Sequence, residues 1–155
     1  MPVEFIRAIT ADHYAAAASL FREYAAWLGI DLSFQQFDAE LNELTTQYGG
    51  AKGGVILCKS NEEFFGCAGV RELDGDEAEL KRMYIRTANQ GKGYGQQLLD
   101  ASLELARGLG YNSIRLDTLD TLTAALQLYL RNGFVETPPY YHNPNTGVVF
   151  LQKQL

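Results

Sequence analysis

Gln90, Gly91, Lys92, Gly93, Tyr94 and Gly95 set three glycines at alternate positions, between an apolar run and an amphipathic one. That spacing can hold a phosphate. Gly93 and Gly95 lack a Cβ, so their backbone can approach a ligand closely, and a helix opening there presents unpaired N–H groups at its positive end. A pyrophosphate is the ligand such a loop favours. The dinucleotide fingerprint G-x-G-x-x-G fails because its third glycine falls on Gln96, and no acidic residue follows at the expected place. The G-x-x-x-x-G-K-[ST] loop fails because Lys92 precedes Gly93. The pattern that fits is Q/R-x-x-G-x-G/A, met by Gln90, Gly93 and Gly95. Lys81, Arg82, Arg86 and Lys92 form a basic cluster flanking the loop, suited to a ligand with several phosphates.

Periodicity supplies the elements that must position this loop. Residues 3–9 alternate as a strand, Thr10, Ala11 and Asp12 offer a helix start, and the Ala-rich helix runs to Leu28 and ends at Gly29. Residues 33–47 are expected as a second helix, with Phe34, Phe37, Leu41 and Leu44 on one face. The glycine-rich stretch 48–54 reads as a loop. Strands at 55–59, 64–72 and 77–85, joined by polar turns, make an antiparallel meander. A helix over 93–109 follows the glycine run and stops at Gly110. Then come a strand at 113–117, a helix over 121–132, a strand near Phe134 and Val135, and a last strand at 148–153.

Around the glycines, Glu79, Leu80, Lys81, Arg82, Met83, Tyr84 and Ile85 run straight into the loop, and Leu98 and Leu99 follow on the helix. Further on, Leu128, Tyr129, Leu130, Arg131, Asn132, Gly133 and Phe134 form a helix end with a Gly-Phe strand entry. In this order the two stretches resemble the signatures of the Gcn5-related N-acetyltransferases (GNAT), of the bacterial small-molecule type. The resemblance covers the whole chain and implies one domain over residues 1–155. It also implies an α/β (α+β) fold with a mixed central sheet of six to seven strands and about four helices, ordered β-α-α-β-β-β-α-β-α-β-β, which agrees with the pattern above.

At 155 residues the chain can bury about 70% of its unfolded surface in one core. No apolar stretch approaches the roughly 20 residues of a membrane span. The first ten residues lack a signal-peptide pattern, so a cytoplasmic location is expected. Thirteen basic against nineteen acidic residues, a net charge of −6, argue against nucleic acid as a partner. Cys58 and Cys67 sit in strand-like segments and read as buried thiols, and no metal site is expected.

The resemblance implies acetyl-CoA as co-substrate and a primary amine of a small molecule as acceptor, attacked directly. Such an amine, with a lysine-like pKa of about 10.4, must lose its proton before it attacks. The resemblance places the base at Glu79, with Glu72, Glu77 and Asp117 as competitors, and the general acid at Tyr129. It implies that the backbone of Met83, Tyr84 and Ile85 meets the pantetheine arm, and that the amides of Gln90, Gly91, Lys92, Gly93, Tyr94, Gly95 and Gln96 hold the pyrophosphate. Tyr24, Trp27, Phe34, Tyr140, Tyr141 and His142 are the candidate acceptor-binding residues, and the acidic composition suggests a cationic amine. Two departures stand out: Leu122 replaces a common Asn, and Gln90 a common Arg. A protein or peptide acceptor and a non-catalytic acyl-CoA-binding module are the alternative readings, and a homodimer is the expected assembly.

Overall fold

A computed structural model describes residues 2–155, apart from the side chain of Phe34, one of the candidate acceptor contacts, which lies outside the described residues. Seven strands form one sheet: β1 (Val3–Arg7), β2 (Gly54–Ser60), β3 (Glu63–Asp74), β4 (Glu77–Ile85), β5 (Ser113–Leu119), β6 (Val135–Glu136) and β7 (Val148–Gln154). Their spatial order is β1-β2-β3-β4-β5-β7-β6. The expected meander of β2, β3 and β4 is antiparallel throughout, and β4 with β5 is the parallel pair.

Helices cover both faces. On one, α1 (Ala11–Leu28) buries Ala17, Leu20 and Phe21 against Val55, Leu57 and Cys67. Thr10 caps it, accepting from the His13 backbone N–H while the His13 ring accepts from the Thr10 N–H, and Gly29 at φ 72 closes it. On the other face, α4 (Tyr94–Gly108) buries Leu98, Leu99, Ser102, Leu103 and Ala106, and α5 (Thr123–Arg131) buries Leu128 and Tyr129. Cys58 and Cys67 are buried free thiols, as expected, and burial pushes the Cys58 thiol up to about 12.

The single helix expected over 33–47 is instead broken into a turn of 3-10 helix at Ser33–Gln35, α2 (Phe37–Asn42) and α3 (Leu44–Gln47). Gln36 takes a left-handed conformation at φ 58, and Glu43 leaves helical geometry at φ −125. Glu40, inside α2, is 1% exposed. Phe37, Leu41 and Leu44 keep helical spacing across Glu43, which is why periodicity misses the break; Glu40 falls on the same face.

Candidate active site

Two irregularities in β4 create the site. Its parallel pairing with β5 covers only Glu77↔Ser113, Ala78↔Ile114 and Glu79↔Arg115. Beyond Glu79 the strands part. Behind the split the Glu77 carboxylate accepts from Ser113 Oγ at 2.7 Å and from Gln152 Nε2 at 2.6 Å, tying the strands at their closed end.

The second irregularity is a bulge. Register with β3 passes from Cys67↔Tyr84 to Gly69↔Lys81, so Arg82 and Met83 together oppose Ala68, and Arg82 takes φ 57. A bulge bends its strand and resets the alternation of side chains. Before it, Ala78 and Leu80 join the core under α4; after it, Met83 and Ile85 do so, and Tyr84 joins the core under α1. Lys81 and Arg82 consequently point to the same side, the α1 and α2 side.

The gap between β4 and β5 opens into a cleft of about 590 Å3. At one end lie Gln90, Gly91, Gly93, Tyr94, Gly95 and Gln96; Met83, Tyr84 and Ile85 form one wall and Tyr129 the floor; Gln35, Lys81, Arg82, Asp117 and Asn143 stand at the other end. The loop end suits a phosphate. Gly91 and Gly93 have φ of 77 and 84, which favours glycine, and α4 starts without any side chain capping its N–H groups. Those donors are left for a ligand. Lys92 is exposed and off the cleft wall. Gln90 turns back to donate to the Ile85 carbonyl at 2.8 Å, so this oxygen is already engaged.

The expected basic cluster does not assemble around the loop. Arg86 pairs with Glu23 and Glu63, each at 3.0 Å, while Lys81 and Arg82 sit at the far end of the cleft. Arg131, exposed on α5, supplies the cation on the wall that the sequence reading missed. Thr121, Leu122 and Thr123 line the cleft at the start of α5.

Tyr129 is 6% exposed, and its hydroxyl lies 3.6 Å from the Met83 sulfur. Burial pushes its phenol well above the ordinary 10.0, so it is a proton donor throughout the working range.

Glu79 is placed differently from the expectation. It precedes the split, it does not line the cleft, and its carboxylate is taken by Arg71 at 3.1 Å and by the Tyr140 hydroxyl at 2.6 Å. It belongs to a side cavity of about 200 Å3 with Gln35, Arg71, Leu73, Lys81, Tyr140 and Tyr141. The carboxylate on the cleft wall is Asp117, on β5 just past the last parallel pair, where it accepts from the Tyr141 hydroxyl and from Asn143 Nδ2 at 3.0 Å.

Of the other candidates, Tyr24 and Trp27 line the cleft and pack at a tilt against Tyr84, with ring centroids 5.9 and 5.8 Å from it. Tyr140 and Tyr141 line the side cavity, and His142 is exposed and reaches neither. Gln35 and Asn143 escaped the sequence reading; both are neutral amides on irregular segments, which carry no signal of their own.

The chain and its fold have counterparts among known proteins. The model of the acetyltransferase (GNAT) family matches residues 15–134. The chain belongs to that family. An uncharacterized N-acetyltransferase of Schizosaccharomyces pombe is 37% identical over 138 residues, 88% of this chain and 85% of the relative. Among solved structures, a GNAT-family acetyltransferase of Staphylococcus aureus aligns with a TM-score of 0.81 at 20% identity over 99% of both chains. A PaiA N-acetyltransferase of Thermoplasma acidophilum, solved in complex with coenzyme A, aligns with a TM-score of 0.74 at 16% identity over the full length of both. The protein is thus an N-acetyltransferase of the GNAT family, with the mixed sheet expected of it.

Proposed function

We propose that the protein moves an acetyl group from acetyl-CoA to a primary amine of a small molecule by direct attack. The reading is carried by one observation: an uncapped helix start, an unpaired strand edge and a protonated tyrosine lie in sequence along one cleft. The first-turn amides of α4, with Gly91 and Gly93, hold the pyrophosphate, and Arg131 adds positive charge beside it. Backbone groups of β4 between Leu80 and Ile85, which have no partner strand on the β5 side, hold the pantetheine arm and polarise the thioester carbonyl. That the Thermoplasma neighbour was solved with coenzyme A supports coenzyme A as the ligand.

At the other end Asp117 takes the proton of the acceptor ammonium, directly or through water. The freed nitrogen bonds to the acetyl carbon, the C–S bond breaks, Tyr129 gives its proton to the departing thiolate, and the second proton leaving the nitrogen restores the tyrosine through solvent. Glu79, held between Arg71, Tyr140 and Lys81, sets the charge around the acceptor end without entering the cleft. A small acceptor is favoured because Gln35 bonds across to Tyr141 and walls off that end.

Release of CoA thiol from acetyl-CoA over a panel of amines tests the reading. Amine-dependent release that saturates supports it; tight acetyl-CoA binding with release at the buffer rate for every amine and peptide would overturn it.

A further inference from the structure

The acceptor end of the cleft holds two opposite charges that do not pair with each other. Three cations and two carboxylates are clustered beneath α2: Arg71, Lys81 and Arg82 with Glu40 and Glu79. Arg82 binds Glu40 through two hydrogen bonds of 3.0 and 2.9 Å, and Arg71 binds Glu79 at 3.1 Å. Lys81 is the cation left over. It is 5% exposed, Glu79 stands 3.8 Å from it, and of its three N–H donors one is spent, on Gln35 Oε1 at 3.1 Å. Asp117 is the anion left over. Tyr141 and Asn143, its partners, are both neutral, both bond to Oδ2, and Oδ1 carries no hydrogen bond among the described residues.

Gln35 keeps these charges apart. Its Oε1 accepts from Lys81, its Nε2 donates to the Tyr141 hydroxyl, and that hydroxyl donates to Asp117. Desolvation also pulls the Lys81 ammonium below its ordinary 10.5, an effect that the charge of Glu79, shared with Arg71 and held at 3.8 Å, opposes but does not cancel. A buried charge with unspent donors is stabilised by a ligand of the opposite sign.

We infer that the acceptor is a free α-amino acid, whose carboxylate binds Lys81 while its amino group meets Asp117. The inference rests on the acetyltransfer reading and names its acceptor class. It runs against the cationic amine that net charge suggests, because the local charges and not the sum face the acceptor.

The test pairs each of several α-amino acids with its carboxamide and with its decarboxylated amine, in thiol-release assays and in calorimetric titrations of the CoA-loaded protein. The amino acid is expected to exceed both partners about ten-fold or more in kcat/KM and in affinity, the worth of one charge-assisted bond. In Lys81→Met and Lys81→Gln the ratio falls toward one. Equal or better use of the amide or amine overturns the inference, as does a ratio unchanged in a folded Lys81 variant; if neither variant folds, the wild-type ratio decides. Amino-acid binding without any acetyl transfer would sink the enzymatic reading and leave the ligand assignment standing; absence of amino-acid binding would sink the assignment.

Discussion

The Tyr129 hydroxyl reaches across from α5 to the sulfur of Met83 at 3.6 Å, which sets a buried proton donor beside the free edge of β4. The contact is weak, so the hydroxyl can exchange it for a stronger acceptor, and a thiolate formed at this depth is one.

Tyr129→Phe should lower kcat by about 10- to 100-fold, at the low end for general acid–base catalysis, because a thiolate leaves readily without a proton. KM for acetyl-CoA should change little. Burial raises the Tyr129 phenol above 10.0, so the wild-type rate should show no alkaline limb from this group up to about pH 10. Steady-state kinetics of both proteins across pH would reveal either failure.

Gly93→Ala should weaken both the fold and CoA binding. With φ at 84 the alanine strains the backbone by about 1–2 kcal/mol even though nothing stands within 4 Å of the added Cβ. Gly95 differs: it has no positive φ, and its Cβ would meet Leu128 Cδ2 at an ordinary 3.5 Å. Gly95→Ala should therefore leave urea stability near wild type and act on CoA affinity alone. Urea unfolding with CoA titration separates the two.

The loop, the meander and the helix order were legible because each rests on local chemistry: glycine spacing, period-two alternation, capping residues. The acceptor end was not. Lys81 and Arg82 share a face only because a bulge lies between β3 and β4, and a bulge is a fact about two strands' register. By simple alternation Arg82 belongs with Leu80 and not with Lys81. Glu79 suffers from the same limit: its place in the sequence fits a base, but the split from β5 begins one residue too late to expose it. Gln35 reaches Tyr141 across 106 positions, a pairing that no local pattern encodes.

Glu40 should govern acid stability. Desolvation pushes its carboxyl up, but the hydrogen bonds and charge of Arg82, with Arg71 and Lys81, outweigh this and hold it below the ordinary 4.5. A lowered folded-state pKa gives stability that is present above the unfolded value and lost as pH falls through the folded one. Wild type should therefore lose this contribution below about pH 4.5. Glu40→Gln leaves Arg82 buried without a counter-ion, and the cost should be about 3–5 kcal/mol at neutral pH. Its stability should then respond less to acid than wild type does. Thermal unfolding from pH 3 to pH 7 would expose a parallel pair of curves, the result that contradicts this.

Asp117→Asn and Glu79→Gln distinguish the two carboxylates. Asp117 lines the cleft with an oxygen unspent, so removing its charge should cost about 100- to 10,000-fold in kcat/KM while the fold holds, since Tyr141 and Asn143 are neutral partners. Glu79 answers Arg71 and Lys81 in the interior, so Glu79→Gln should cost stability first. Its loss of kcat, per folded molecule, should stay within about ten-fold. Rate and unfolding midpoint measured on the same samples decide between them. A folded Glu79→Gln protein as inactive as Asp117→Asn would return the role of base to Glu79, acting through a water between the side cavity and the cleft.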